Sequence, residues 1–337
     1  LYYYKYKLNF VLLNTHKIFP APISGGIEKR IEAFIKFCLS NNIDIQVISS
    51  QRINLKESIY IEAQSQEDFV SKAIINLPQE AKIIAYNLTN ESCKIIHNKR
   101  IRAINANCGG MAKGGIPSLF VFSSEFVTNR FLSLNQKISY NGFFNEYQTC
   151  IIPHGLSEDE FYYNENEQKR DYFLWCGSLG WGLESKGLDL FIKLAELNPK
   201  DLFKIYGAPW NSERLESFLK RLNMPNLEFY LGLEDQDKNN VMSNAIALCQ
   251  FTRLIESCNI TTLESYSRGT PVITLDEDQG GVTNNAKFFD LTLKSFDDFI
   301  DIKNKALALN RKEIHDFYKN KFHCKNEYDL IMKEFNK

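Results

Sequence analysis

The stretch Glu256-Ser-Cys-Asn-Ile-Thr-Thr-Leu-Glu264, continued by Ser265-Tyr-Ser-Arg-Gly-Thr-Pro-Val-Ile-Thr274, decides how the chain reads. Asn259 is a strong N-cap residue, and Thr261 and Thr262 are tolerated in a first helical turn. Gly269 stands where a helix C-terminus favours a residue of positive φ. A β-branched run, Pro271 to Leu275, follows at once. The spacing predicts a loop, a helix over about 260–268, a tight turn and a buried strand. A helix start offers unpaired backbone N–H groups and the positive end of a dipole, which together suit an anion. Glu256 before the helix and Glu264 one turn inside it can each accept hydrogen bonds from hydroxyls. Diphosphate on the N–H groups, sugar on one carboxylate and ribose on the other would describe a bound nucleotide sugar. The plain alternative is a surface helix with two solvated acids.

Outward from this stretch the same pattern repeats. Strands are expected at Tyr172 to Cys176, Phe203 to Tyr206, Leu227 to Leu231, Ala245 to Gln250 and Val272 to Leu275, with helices near 186–197, 211–222, 236–243 and 260–268 between them. Alternation of this kind argues for a parallel sheet covered by helices. The N-terminal half reads similarly. Lys7 to Leu13 is a first strand, Asn14 to Gly26 an irregular loop ending in Gly25-Gly26, and Ile27, Ile31, Phe34, Ile35, Cys38 and Leu39 fall at helical spacing. Strands follow at Ile43 to Ser49, Ile83 to Tyr86, Ile101 to Asn105, Leu119 to Phe122 and Cys150 to Ile152. Ser123-Ser124-Glu125 can cap a helix through about Leu132, and Gly109-Gly110 and Gly114-Gly115 mark a loop. Glu158 to Arg170 is polar and reads as a linker, and Asp297 to Lys337 as helical and charged, with Phe317, Phe322, Tyr328, Ile331 and Phe335 as its apolar points. The fold class is therefore α/β: two Rossmann-like, doubly wound domains with the natural site at their junction.

Composition narrows the function classes. The 337 residues exceed what one core usually serves. A net charge of −1 gives no global pointer to nucleic acid. The eight cysteines form no C-x-x-C pair and sit mostly among apolar neighbours, which suits reduced, buried thiols in a cytoplasmic protein. The five histidines show no metal-ligand spacing. Asp235-Gln-Asp237 has the letters of a metal motif but reads as a helix-capping loop, so no cofactor and no divalent metal is expected. No apolar run is long enough to span a membrane, and the first residues lack the pattern of a secretory leader. Lys94, Lys99, Arg100 and Arg102 cluster beside Ile95, Ile96 and Ile101. A solvated helix end is the first reading and peripheral contact with the inner face of an anionic membrane the second.

The order of motifs adds a resemblance. Pro20-x-Pro22-x-x-Gly25-Gly26 follows strand one; Ile151-Ile-Pro-His-Gly-Leu-Ser-Glu-Asp-Glu-Phe161 follows later; then come Gly177, Lys186-Gly-Leu-Asp-Leu190, the two acids Glu256 and Glu264, Gly269-Thr-Pro-Val-Ile273 and Gly280-Gly281. Over nearly the whole chain this resembles the retaining glycosyltransferases of family 4, which have the GT-B fold. The resemblance implies an acceptor-binding domain over 1–157, with 319–337 crossing back onto it, and a nucleotide-sugar-binding domain over 170–318, facing each other across a cleft. It implies that Glu256 faces the donor sugar, that Glu264 holds ribose, that Asn259, Ile260 and Thr261 supply backbone donors, that Lys186 binds diphosphate, and that Gly25 and Gly26 meet the donor. Three departures stand out. Ser178 occupies the place of a family arginine, with Arg253 a candidate substitute. Pro153-His154-Gly155 replaces a proline-asparagine-glycine turn, so His154 reads as a turn residue. Asn105 or Asn107 falls where many members carry a histidine. The implied reaction is metal-independent transfer of a sugar from a nucleotide-diphosphate donor to a glycan, a lipid-linked sugar or a small molecule. The alternatives are an epimerase or phosphorylase-like enzyme on the same fold, or a non-catalytic sugar-nucleotide-binding protein.

Overall fold

A computed structural model describes residues 10–16, 18, 26–56, 58–107, 119–122, 148–164, 166, 169–178, 182–208, 217, 222, 224–231, 235–253, 259–275 and 291–337. The chain forms two compact units, residues 1–157 with 324–337, and residues 158–323.

In the first unit the described strands are β1 (Phe10–Asn14), β2 (Ile45–Ser49), β3 (Ile59–Tyr60), β4 (Lys82–Tyr86), β5 (Arg102–Asn107), β6 (Leu119–Phe122) and β7 (Gln148–Ile151). They lie in the order β3-β2-β1-β4-β5-β6-β7, and every pairing is parallel. Helices α1 (Gly26–Ser40), α2 (Gln66–Ile74) and α3 (Asn90–Asn98) connect them. Strand alternation sorts the core onto two faces. Phe10 and Leu12 join Ile31, Phe34 and Ile35 of α1 on one face. Val11 and Leu13 join Phe69, Val70 and Ile96 of α2 and α3 on the other.

In the second unit β8 (Tyr172–Ser178), β9 (Phe203–Ala208), β10 (Leu227–Leu231), β11 (Ala245–Cys249), β12 (Val272–Leu275) and β13 (Thr292–Leu293) form a parallel sheet ordered β10-β9-β8-β11-β12-β13. The helices among the described residues are α4 (Gly182–Ser185), α5 (Leu188–Leu197), α6 (Asp235–Asn244), α7 (Ile260–Tyr266), α8 (Phe299–Ala308) and α9 (Arg311–Phe322). Phe173, Trp175, Phe191, Phe203 and Phe299 form the aromatic centre of the core, with Phe173 and Phe203 stacked at 5.4 Å. On the opposite face α9 is anchored by Arg311, which is 1% exposed and donates to the carbonyls of Ser243 and Ile246 and to Thr270 Oγ1 at 2.9, 3.0 and 3.1 Å. Tyr318 of the same helix stacks on Tyr266 of α7 at 4.0 Å.

The last helix, α10 (Cys324–Phe335), belongs to the first unit. Ile331 and Phe335 enter the core, and Tyr328 packs on Phe10 and Phe37. Glu327, 1% exposed, accepts from Arg30 at 2.5 Å and from the backbone N–H of Gly155 at 2.8 Å.

Several expectations are revised. The polar stretch read as a linker packs onto the second unit: Ser267 Oγ donates to the Glu160 carbonyl at 2.8 Å, and Phe161 and Tyr163 lie against His315. Asp235 and Asp237 lie in the first turn of α6 rather than in a capping loop. Phe317 is 36% exposed, so it is no core point of α9. His154, read as a turn residue, is 3% exposed beside Arg30. The helix expected after Ser123, the Gly109 to Gly115 loop and nearly all of 211–222 lie outside the described residues.

His154 carries a pH consequence. Burial first, and the Arg30 cation second, hold its pKa well below the ordinary 6.5. The folded state therefore refuses a proton that the unfolded chain accepts. Stability from this site is complete above about pH 6.5 and is lost as pH falls below it. The stability of the first unit against urea is expected to fall steadily as pH drops below about 6.5, and His154→Gln to flatten that slope. An unchanged slope in the variant places the proton elsewhere.

Candidate functional site

Both sheets reverse their strand order once, between β1 and β4 in the first unit and between β8 and β11 in the second. In open parallel sheets ligands bind beyond the carboxyl ends of strands at such a reversal. In the second unit that place is the end of β8, at Ser178, and the extension of β11 through Gln250 to Arg253.

The loop bearing Lys186 is fastened there by several contacts. The Arg253 N–H and Thr252 Oγ1 both donate to the Ser185 carbonyl, at 3.0 and 3.1 Å. Trp175, from the core, donates its indole N–H to the Lys186 carbonyl at 3.2 Å. Gly187 has φ +68°, and a Cβ there would fall 2.0 Å from the Phe251 carbonyl oxygen. Only glycine fits that approach. Arg253 closes the loop from outside, with both terminal nitrogens on the Asp189 carboxylate at 2.7 and 2.8 Å and one also on the Glu184 carbonyl at 2.7 Å. Lys186, half-buried, is thus carried to the end of β11.

Helix α7 begins as its sequence predicts. Asn259 is extended (φ −79°, ψ 106°) and its Oδ1 accepts from the Thr262 N–H at 3.0 Å. The helix ends at Tyr266, and Gly269 takes φ +75° against the Arg311 carbonyl. Ile260 and Thr261 form its first turn. Glu264 is 5% exposed and accepts from Lys238 of α6 at 2.7 Å. Lys238, 7% exposed, was not among the residues the sequence singled out. Its signal is its place in α6, on the stripe with the buried Val241 and Met242.

The other expected site residues are placed as follows. Ser178 ends β8, and its Oγ is buried with no hydrogen-bond partner among the described residues. Gly26 is the first residue of α1 in the first unit. Gly25 and Glu256 lie outside the described residues. Asn105 is buried in β5 and accepts from the Leu88 N–H at 3.0 Å, which gives it a structural task. Among the described residues no group of three or more His, Cys, Asp or Glu could hold a metal ion.

Residues 159–290 match the family model described as Glycosyl transferases group 1. That match supports a transferase of glycosyl groups. No curated protein matches the chain. Among solved structures, a glycosyltransferase from Rickettsia africae ESF-5 is 13% identical, with 98% of each chain covered and a TM-score of 0.73. The Anabaena protein Alr3699/HepE, solved in complex with UDP, is 12% identical, with 97% of this chain and 99% of that one covered and a TM-score of 0.72. A sucrose-phosphate synthase from Thermosynechococcus elongatus is 12% identical, with 97% and 98% covered and a TM-score of 0.72. At such identities the likeness speaks for the fold alone, and the two parallel α/β units match the GT-B fold.

Gly187→Ala tests the loop's geometry. A left-handed φ costs an L-residue roughly 1–2 kcal/mol, and the approach to Phe251 adds to it. The variant is expected to melt at a lower temperature than wild type. Melting equal to wild type would show that the Phe251 contact does not constrain the loop.

Proposed function

We propose that the protein transfers a sugar from a nucleotide-diphosphate sugar to an acceptor, with retention at the anomeric carbon and without a divalent metal. The observation that carries this reading is the Lys186 loop, fastened to the extension of β11 at the strand-order reversal of a unit that matches the group 1 glycosyl transferases. Departure of the leaving group builds negative charge on the diphosphate. Lys186, the N–H groups of Asn259, Ile260 and Thr261, and the Ser178 hydroxyl are the donors that would meet it; Glu256 would face the sugar and Glu264 the ribose. Such preorganised donors act without reorganising during reaction. The first unit, with Gly25 and Gly26 at the entry to α1, would take the acceptor: a glycan, a lipid-linked sugar or a small molecule. Peripheral attachment to the cytoplasmic face of a membrane belongs to the same proposal. No helix of the described residues is long and apolar enough to cross a membrane.

One observation favours a second reading. Ser178 gives no charge where the resemblance expects an arginine, and Arg253, its candidate substitute, is engaged with Asp189. A clamp reduced to Lys186 would suit a protein that binds a sugar nucleotide without turning it over.

Thermal shift with UDP, GDP and ADP and their sugars is the first test. A ligand at 100 times its Kd adds ~2.7 kcal/mol to stability, so one base family is expected to raise the melting temperature clearly. Absence of any shift would remove the donor site. With an acceptor pool in hand, Lys186→Ala is expected to lower kcat by roughly 10²–10³-fold, the usual cost of one transition-state donor. Activity should survive a chelator. Binding without turnover in wild type would decide for the second reading.

A further inference from the structure

Within the donor site just proposed, and resting on that reading, we infer that Lys238 is the positioning residue for ribose recognition: it fixes the Glu264 carboxylate in the orientation needed to accept from the nucleotide's vicinal hydroxyls.

The contact is internal to the second unit and deeply placed. The side chains of Lys238 and Glu264 are 9% and 6% exposed, and their charged atoms are 2.7 Å apart. A carboxylate left alone at that depth would take up a proton and lose half its accepting capacity. An ammonium on Oε1 opposes this and stops the carboxylate from turning about its last bond. The two helices are held so that the lysine cannot drift. Arg268 Nε donates to Asn239 Oδ1 of α6 at 3.0 Å, while its Nη1 donates to the Glu264 carbonyl at 2.6 Å. Thr270 Oγ1 donates to the Met242 carbonyl at the other end of α6 at 2.7 Å. Lys238 thus extends from a helix bolted at both ends of the contact.

The residue type is the informative part. Lys238 shares its stripe with Val241 and Met242, a setting in which an apolar side chain would bury area without desolvating a charge. A purely packing role would be met as well by leucine or methionine. A charge at this position answers the buried carboxylate of Glu264 at 2.7 Å, and that acid is the proposed ribose ligand.

The test is equilibrium binding of UDP, GDP and ADP against their 2′,3′-dideoxy counterparts, which lack both hydroxyls. Wild type should prefer the ribose form of its nucleotide at least tenfold, and Glu264→Gln should reduce that preference. Lys238→Met should reduce it to within about threefold while leaving dideoxy affinity unchanged, and Lys238→Arg should restore it. A merely structural lysine would alter the melting temperature and leave the ratio alone, and that result overturns the inference. Should Lys238→Met fail to fold, the double variant Lys238→Met with Glu264→Gln, whose neutral pair removes the buried charge, is compared with Glu264→Gln alone. Equal ratios support action through Glu264, and unequal ratios overturn it. If wild type binds no nucleoside diphosphate, the donor site itself fails. If it binds with a ribose preference that Glu264→Gln leaves intact, the donor site stands and the positioning role of Lys238 falls.

Discussion

The carbonyl oxygen of Phe251 lies where a side chain on residue 187 would have to go, and the arrangement at the head of the second sheet depends on that approach. Because residue 187 is glycine, the loop after β8 can turn with a left-handed φ and lie against the extension of β11. The backbone bond from Arg253 and the side-chain bond from Thr252 to Ser185 can then form, and Lys186 is carried to the strand-order reversal with its carbonyl held by Trp175. Trp175 is itself 1% exposed in the main core, so the position of a charged residue at the surface is set by packing in the interior. This chain of contacts is short and rigid, as preorganisation requires.

The first unit meets a comparable demand with charge instead of backbone approach. Arg30 and Glu327 are both almost fully buried, and each alone would be costly there. Their pairing at 2.5 Å, the Gly155 N–H on Glu327, and the face of Tyr86 under Arg30 at 5.0 Å make the burial tolerable. Burial first, and the same cation second, keep His154 neutral. A buried pair of this kind adds little net stability over an apolar one, but breaking it leaves a lone charge inside. It therefore fixes which helix face of α10 may sit on this sheet.

The strands were legible because buried parallel strands read as apolar runs, and Leu119–Phe122 coincides with the expected range while most others shift by one to three residues. Asn259 and Gly269 marked the ends of α7 because each does a backbone task that few residues do. The missed pieces lacked such marks. Strand β13 has two residues, too few for any period, and α2 lies in a polar stretch whose apolar points Phe69, Val70, Ala73 and Ile74 emerge only against the sheet. Glu158 to Arg170 looked like a linker because its polar letters dominate, yet Phe161 and Tyr163 hold it to His315. Lys238 was invisible for a different reason: a lysine's partner is a matter of tertiary distance, and Glu264 is far along the chain.

Arg253 shows how a correct location can carry a different task. The sequence places a cation three residues before Glu256 and suggests a clamp on the leaving group. In the structure its guanidinium spans Asp189 and the Glu184 carbonyl, on either side of Lys186 and Gly187. A guanidinium held by a bidentate carboxylate has much of its charge already answered, so its effect on a diphosphate is weaker than that of a lone cation. Its geometric effect is larger, since it staples the loop that presents Lys186. The family's arginine at 178 would contribute charge directly from the strand end. Here the serine contributes a hydroxyl, and the arginine contributes the shape of the loop around the lysine. Loss of Arg253 should therefore act through the placement of Lys186 more than through charge.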